Sequence, residues 1–161
     1  VLEGFNFSWI EEPISALSSQ GEFNNVINST SCDLAFGENI TNFDEFISLS
    51  QNNKSKYIQP DLTKYGGISL INNLSKKIQT NKIWLHFLGG GVGLLTSAHI
   101  MSAINPSAYL ETDININPLR TSLFHNELNI ENGKISFNDD YGIGGPLNFD
   151  TINKYLVSSN V

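Results

Sequence analysis

Five short apolar runs recur along the chain, and each closes on an ionisable residue or a turn signal. Phe5, Phe7, Trp9 and Ile10 form the first, which stops at Glu11-Glu12-Pro13, where proline removes a ladder donor and ends a strand. Asp33 to Phe36 form the second, closing in Gly37-Glu38-Asn39. Asn42 and Glu45 follow at capping-box spacing, ahead of Phe43, Phe46, Ile47 and Leu49, so this segment predicts strand, loop, helix. The unit repeats. Tyr57 to Gln59 run into Pro60-Asp61, a Gly66-Gly67 turn follows, and Leu70, Ile71, Leu74 and Ile78 have helical spacing. Lys82 to Leu85 predict a fourth strand with His86 at its end, followed by a glycine-rich loop and an apolar helix through Leu94, Leu95, Ala98, Met101 and Ala103. Ala108 to Leu110 predict a fifth strand, ending in Glu111. Beyond it, Asn117-Pro118, Asn132-Gly133 and Gly142 to Pro146 punctuate a loop-rich tail that finishes in a short helix, Asp150 to Val157.

Strands alternating with helices predict an α/β fold, a parallel sheet with helices packed outside it. Glu11, Glu38, Asp61, His86 and Glu111 each fall at the C-terminal end of a predicted strand, roughly 25 residues apart, the length of one βα unit. Strand ends of a closed barrel converge on one mouth, whereas those of an open sheet spread along a line, so this gathering favours a barrel. Five strands cannot close one, and the remaining strands are expected from elsewhere. The chain also opens on Val1, with Phe5 to Ile10 already reading as a buried strand, which predicts a piece of a longer polypeptide.

Composition narrows the function classes. The 161 residues are 40% hydrophobic, with ten Phe and two Trp, enough for a real core. A net charge of −7 disfavours a phosphate backbone, so no nucleic-acid partner is expected. Cys32 is the only cysteine, which excludes an internal disulfide and suits a reducing cytoplasm. The longest apolar stretch, Ile83 to Ile104, contains four glycines and two histidines and does not read as a bilayer span.

Trp9-Ile10-Glu11-Glu12-Pro13, Gly37-Glu38-Asn39, Pro60-Asp61 with Lys64 and Gly66-Gly67, His86, and Leu110-Glu111 together resemble the enolase superfamily, in its mandelate racemase subgroup. The resemblance covers nearly the whole chain and implies the C-terminal half of a TIM-type (β/α)7β barrel. On that basis residues 1–112 are expected to form a partial barrel, strands four to eight of the parent fold. Residues 113–161 are expected to form a tail packing on the barrel or on a capping domain.

The resemblance further implies a Mg²⁺ ion held by three strand-end carboxylates. Glu11 and Glu38 match the second and third, and the first is expected upstream of this chain. Hard oxygen ligands suit Mg²⁺. Asp61 and His86 match a dyad in which the carboxylate orients the imidazole as general acid or base. The muconate-lactonizing relatives carry a catalytic Lys where this chain has Asp61, so that position argues for the racemase subgroup. Glu111 matches a carboxylic acid that donates a hydrogen bond to the substrate carboxylate, which requires it to stay protonated.

The implied reaction is removal of the proton α to a substrate carboxylate through an enediolate, with a small carboxylate, an acid sugar, as substrate. Dehydration is the leading expectation. Racemisation or epimerisation is the alternative, as is a catalytically silent fragment lacking the upstream half of the site. A partial barrel exposes sheet edges and apolar faces, so homo-oligomerisation or association with a chain supplying the missing strands is expected.

Other features read more plainly. Gly89-Gly90-Gly91-Val92-Gly93 precedes a helix but lacks the Lys and Ser/Thr of a phosphate cradle, so a tight loop at the barrel mouth is expected. Lys64 is expected to neighbour the dyad structurally, His99 to pack in the outer layer, His125 to lie in solvent and Cys32 to be a buried, inert thiol.

Overall fold

The computed structural model describes residues 4–15, 18–125, 129–137, 139 and 141–157. Three parallel strands, β1 (Ile10–Glu11), β2 (Leu34–Phe36) and β3 (Ser55–Ile58), lie side by side in chain order. Helices α1 (Gln20–Ser29), α2 (Phe43–Ser50), α3 (Gly67–Ser75) and α4 (Gly91–Ile104) alternate with the strand segments. The sheet continues through a parallel bridge from Ile58 to Ile83, where the Trp84 amide donates to the Ile58 carbonyl at 3.0 Å. The alternation predicted from the apolar runs is present.

Helix starts follow side-chain chemistry. Asn42 caps α2 by accepting from the Asp44 amide, so the expected cap is there, although Asp44 and not Glu45 is its partner. A complete capping box forms one helix earlier: Ser19 accepts from the Glu22 amide, and the Glu22 carboxylate accepts from the Ser19 backbone and hydroxyl at 2.8 Å. This box starts α1, a helix the apolar runs did not announce. Ser19→Ala is expected to destabilise the fold by about 1 kcal/mol, read as a shifted urea midpoint with unchanged slope.

Side chains of a strand alternate between two faces, and here each face has one purpose. Ile10, Leu34 and Phe36 point outward onto Phe23, Val26 and Ile27 of α1. Ile58, Ile83 and Leu85 point outward into a larger core with Phe46, Leu70, Ile71, Leu74 and Met101 from the next three helices. The intervening residues face the other way. Trp9, Tyr57, Trp84 and Tyr109 meet there as one aromatic layer, with successive ring centroids 4.3 to 6.3 Å apart. A bulge between Leu34 and Ala35 shifts β3 by one residue and sets Tyr57 opposite Ala35.

Three expectations need correction. The first strand is Ile10–Glu11 alone, and Phe5 and Phe7, 62% and 43% exposed, stack on each other 5.4 Å apart. Ala108 to Leu110 pair with no strand, although Tyr109 still reaches the aromatic layer. The final helix is Phe149–Tyr155, one residue earlier at its start because Asn148 caps it through the Thr151 amide.

The tail adds a short helix α5 (Pro118–Thr121), a hairpin of β4 (Asn129–Glu131) and β5 (Lys134–Ser136), and α6 (Phe149–Tyr155). Asn132 and Gly133, both at positive φ, make the hairpin turn. The tail lies against α4: His99 stacks on Phe137 at 4.2 Å, and its Nε2 bonds the Ile143 carbonyl at 3.0 Å. Among the described residues, no helix is long and apolar enough to cross a membrane.

Candidate active site

Each inward aromatic is followed, two residues on, by a polar side chain on the same face: Trp9 by Glu11, Tyr57 by Gln59, Trp84 by His86 and Tyr109 by Glu111. This spacing carries the four polar groups, one layer above the rings, to a common end of the sheet, with Glu111 arriving from a segment outside the named strands. Glu38 and Asp61 join them from the loops that follow β2 and β3.

His86 is the centre of this group and is 5% exposed. Its Nδ1 lies 3.0 Å from Asp61 Oδ2, and its Nε2 lies 2.8 Å from Glu38 Oε2 and 3.6 Å from Glu111 Oε1. Burial opposes ionisation of Asp61, but hydrogen bonds from the Thr63 hydroxyl and amide and from His86 outweigh it and hold the carboxyl below its ordinary range. Asp61 is thus an ionised acceptor, which assigns the proton on that side to Nδ1 and turns Nε2 toward the two glutamates. The structure thus brings His86 and Asp61, 25 residues apart in sequence, within hydrogen-bond distance.

The Glu11-Glu12 pair divides its labour. Glu12 adopts φ 39°, and its Oε1 accepts from the Gly37 amide at 2.8 Å. Glu11 instead sends Oε2 toward Gln59 Nε2, 2.8 Å away, and Trp9 Nε1, 3.4 Å away. Gly37, at φ 134°, leads directly into Glu38. Its missing side chain matters, since a Cβ there would lie 3.0 Å from the Gln59 backbone nitrogen. Lys64 approaches Glu38 to 3.8 Å and donates to Asn39 Oδ1 at 3.4 Å, so it neighbours Glu38 as well as the dyad.

Glu111 has its carboxyl raised above the ordinary range. Burial is the main cause; the charges of Glu11 and Glu38 add to it, while His86 and the Phe87 amide oppose it. A group raised in the folded state stabilises most below its unfolded value, and that contribution is lost as pH rises through the folded value. Glu111→Gln is therefore expected to melt higher than the parent at pH 7 and to converge with it below its ordinary 4.5, in a series of thermal melts. A melting difference that ignores pH would contradict this.

Glu111 feels the charges of Glu11 and Glu38, and Lys64 and His86 approach Glu38, so the side chains gathered here are hard carboxylate oxygens of the kind that suit a divalent cation. Gln59 Oε1 is also buried with no hydrogen-bond partner among the described residues. Both observations fit a cation with its own hydration. Among the described residues no three His, Cys, Asp or Glu side chains are grouped to hold a metal.

Other candidates fall into ordinary roles. Gly93 lets α4 approach the Asp61 loop, because a Cβ would lie 2.7 Å from Thr63 Cγ2 and 2.8 Å from Phe87. Gly93 at least is explained by packing. His125 is exposed, and Cys32 is half-buried where a buried thiol was expected. Beyond Glu111, Asp113 pairs with Arg120 Nη1 at 3.1 Å, and Arg120 Nη2 also donates to the Asn115 carbonyl, which ties down the loop leaving the site. Gln59, Glu12 and this Asp113–Arg120 clamp were not anticipated. Gln59 had a legible signal: the aromatic-aliphatic-polar triplets Trp9-Ile10-Glu11, Tyr57-Ile58-Gln59, Trp84-Leu85-His86 and Tyr109-Leu110-Glu111 place it beside the others.

The chain is 31% identical over 149 residues to L-talarate/galactarate dehydratase of Salmonella typhimurium, covering 91% of this chain and 35% of that protein. It is 27% identical over 118 residues to arabinonate dehydratase of Saccharolobus solfataricus, covering 71% and 31%. It thus spans about a third of the length of these relatives. The crystal structure of 3,6-anhydro-D-galactonate cycloisomerase from Zobellia galactanivorans superposes on 96% of this chain and 44% of its own, with a TM-score of 0.82 at 23% identity. Other matched structures contain magnesium, or the small carboxylates 2-oxoglutarate and L-malate. A family model described as enolase C-terminal domain-like matches residues 1–151. The parallel strands and alternating helices are those of the C-terminal part of the family's barrel, and the chain belongs to the enolase superfamily, as a C-terminal domain of the mandelate racemase/muconate lactonizing enzyme subgroup.

Proposed function

We propose that the protein containing this chain dehydrates an acid sugar by removing the proton α to its carboxylate, with Mg²⁺ held in part by Glu11 and Glu38. One observation carries this reading: His86 is locked by Asp61 on Nδ1 while Nε2 faces a cluster of carboxylates at 2.8 to 3.6 Å. An imidazole so held can take up or release a proton at Nε2 and nowhere else. The bound cation would supply positive charge where the enediolate develops its negative charge. Glu111, with its raised carboxyl, stays protonated more readily than an ordinary Glu and can donate a hydrogen bond to an anionic substrate oxygen. The aromatic layer lies beneath these polar groups as the floor of the site.

The two curated relatives are dehydratases of galactarate-type and arabinonate substrates, which favours dehydration over racemisation. A third carboxylate ligand would come from an upstream segment, so activity is assigned to the full-length gene product. Within it, residues 1–112 would supply barrel strands and 113–161 a tail against α4. Cytoplasmic residence suits the free Cys32. Tyr109, Ile114 and Ile116, 70 to 98% exposed near the site, suit burial by another segment or subunit.

The test is a panel of acid sugars incubated with the full-length product and Mg²⁺, read as α-keto-acid formation, with chelator as control. Exchange of the α-proton without keto-acid formation would instead assign a racemase or epimerase. Absence of both would leave the silent reading standing.

A further inference from the structure

We propose that Gln59 is a positioning residue for the cation site, tying the two carboxylates together across three strands. This rests on the reading of Glu11 and Glu38 as cation ligands. The side chain of Gln59 is 6% exposed, and its Nε2 donates to Glu11 Oε2 at 2.8 Å. Trp9 Nε1 approaches the same oxygen at 3.4 Å. Both donors therefore engage Oε2, and Oε1 of Glu11 is the oxygen left to meet a cation. The backbone of Gln59 acts on the other ligand. Its amide donates to the Phe36 carbonyl at 2.7 Å, and its nitrogen lies where only a glycine at position 37 can pass, immediately before Glu38. A single residue thus sets the rotamer of one carboxylate and the strand exit of the other.

The remaining polar atom gives an independent indication. Gln59 Oε1 is buried without a partner among the described residues, although a lost hydrogen bond at a buried acceptor is costly, of order 1–3 kcal/mol. An acceptor in that state, beside a carboxylate reserved for a cation, is matched by a donor that arrives with the cation: a water of its hydration shell. Gln59 also occupies the same place in its triplet as Glu11, His86 and Glu111. A residue kept only for packing would be better served there by an apolar side chain of equal length.

Gln59→Met keeps length and volume and removes both the donor and the orphaned acceptor. Gln59→Asn keeps the amide but shortens its reach by one methylene. In the full-length product, isothermal titration with Mg²⁺ alone is expected to show affinity 10- to 100-fold weaker for either variant, the range for lost outer-sphere partners of metal ligands. Thermal melts in EDTA are expected to be unchanged or higher for Gln59→Met. Turnover of Gln59→Met is expected to recover most of its value at saturating Mg²⁺, whereas Glu11→Gln does not. Parent-like Mg²⁺ affinity in both Gln59 variants, while Glu11→Gln loses it, overturns the positioning role alone. A lowered melting point in EDTA with unchanged affinity overturns it too, in favour of a packing role. If the parent protein binds no Mg²⁺, the proposed function fails first and this inference with it.

Discussion

His86→Asn in the full-length product is expected to lower turnover by about two to four orders of magnitude, the usual contribution of a positioned general acid or base. The reason lies in the two sides of the ring. Asp61 holds Nδ1 at 3.0 Å, so the imidazole cannot rotate away, and Nε2 is its only working atom. An asparagine can still donate toward Asp61, but it presents no titratable nitrogen where Nε2 stood. Mg²⁺ affinity is expected to be no weaker than in the parent, since the ring now bonds Glu38 Oε2 at 2.8 Å and its removal frees that oxygen. Steady-state kinetics and calorimetry together decide the matter. Turnover surviving within tenfold removes His86 from the chemistry, and a joint collapse of turnover and Mg²⁺ binding makes it a structural support.

Phe46→Ala is expected to cost about 3–5 kcal/mol, the largest effect on stability in the chain. Phe46 is fully buried on α2 in the cluster that contains Ile58 of β3, Leu70, Ile71 and Leu74 of α3, and Ile83. Those strand residues are the outward neighbours of Tyr57, Gln59 and Trp84, so the same side chain that anchors α2 also holds the sheet beneath the site. Truncation leaves a void that packed neighbours only partly fill. Since a domain of this size is stable by only about 5–15 kcal/mol, the variant is expected near its unfolding threshold at 37 °C. A urea midpoint shifted by less than the equivalent of about 1 kcal/mol would show that the cluster repacks around the loss.

The pattern of this chain was informative where local physics decides the outcome. Helix α3 follows from Leu70, Ile71 and Leu74 at helical spacing, and Asn42 caps α2 because its side chain reaches an amide two residues on. Helix α1 is equally local, since Ser19 and Glu22 form a capping box, and its signal lies in that pair and not in an apolar run. The expected first strand from Phe5 failed for another reason. A strand needs a neighbour, and only Ile10 and Glu11 find β2, so Phe5 and Phe7 lie exposed.

The site divides the same way. Glu11, Glu38, Asp61, His86 and Glu111 could be picked out in sequence because each follows a short apolar run and the runs recur about once per βα unit. The choice of nitrogen on His86, the turning of Glu12 away toward Gly37, and the place of Gln59 between two carboxylates could not. Sequence by itself determined which residues are carried to one end of the sheet, because strand period and turn chemistry act over a few residues. Only the tertiary structure decided which oxygen faces which nitrogen, because a hydrogen bond depends on tenths of an ångström between groups 25 and 48 residues apart along the chain.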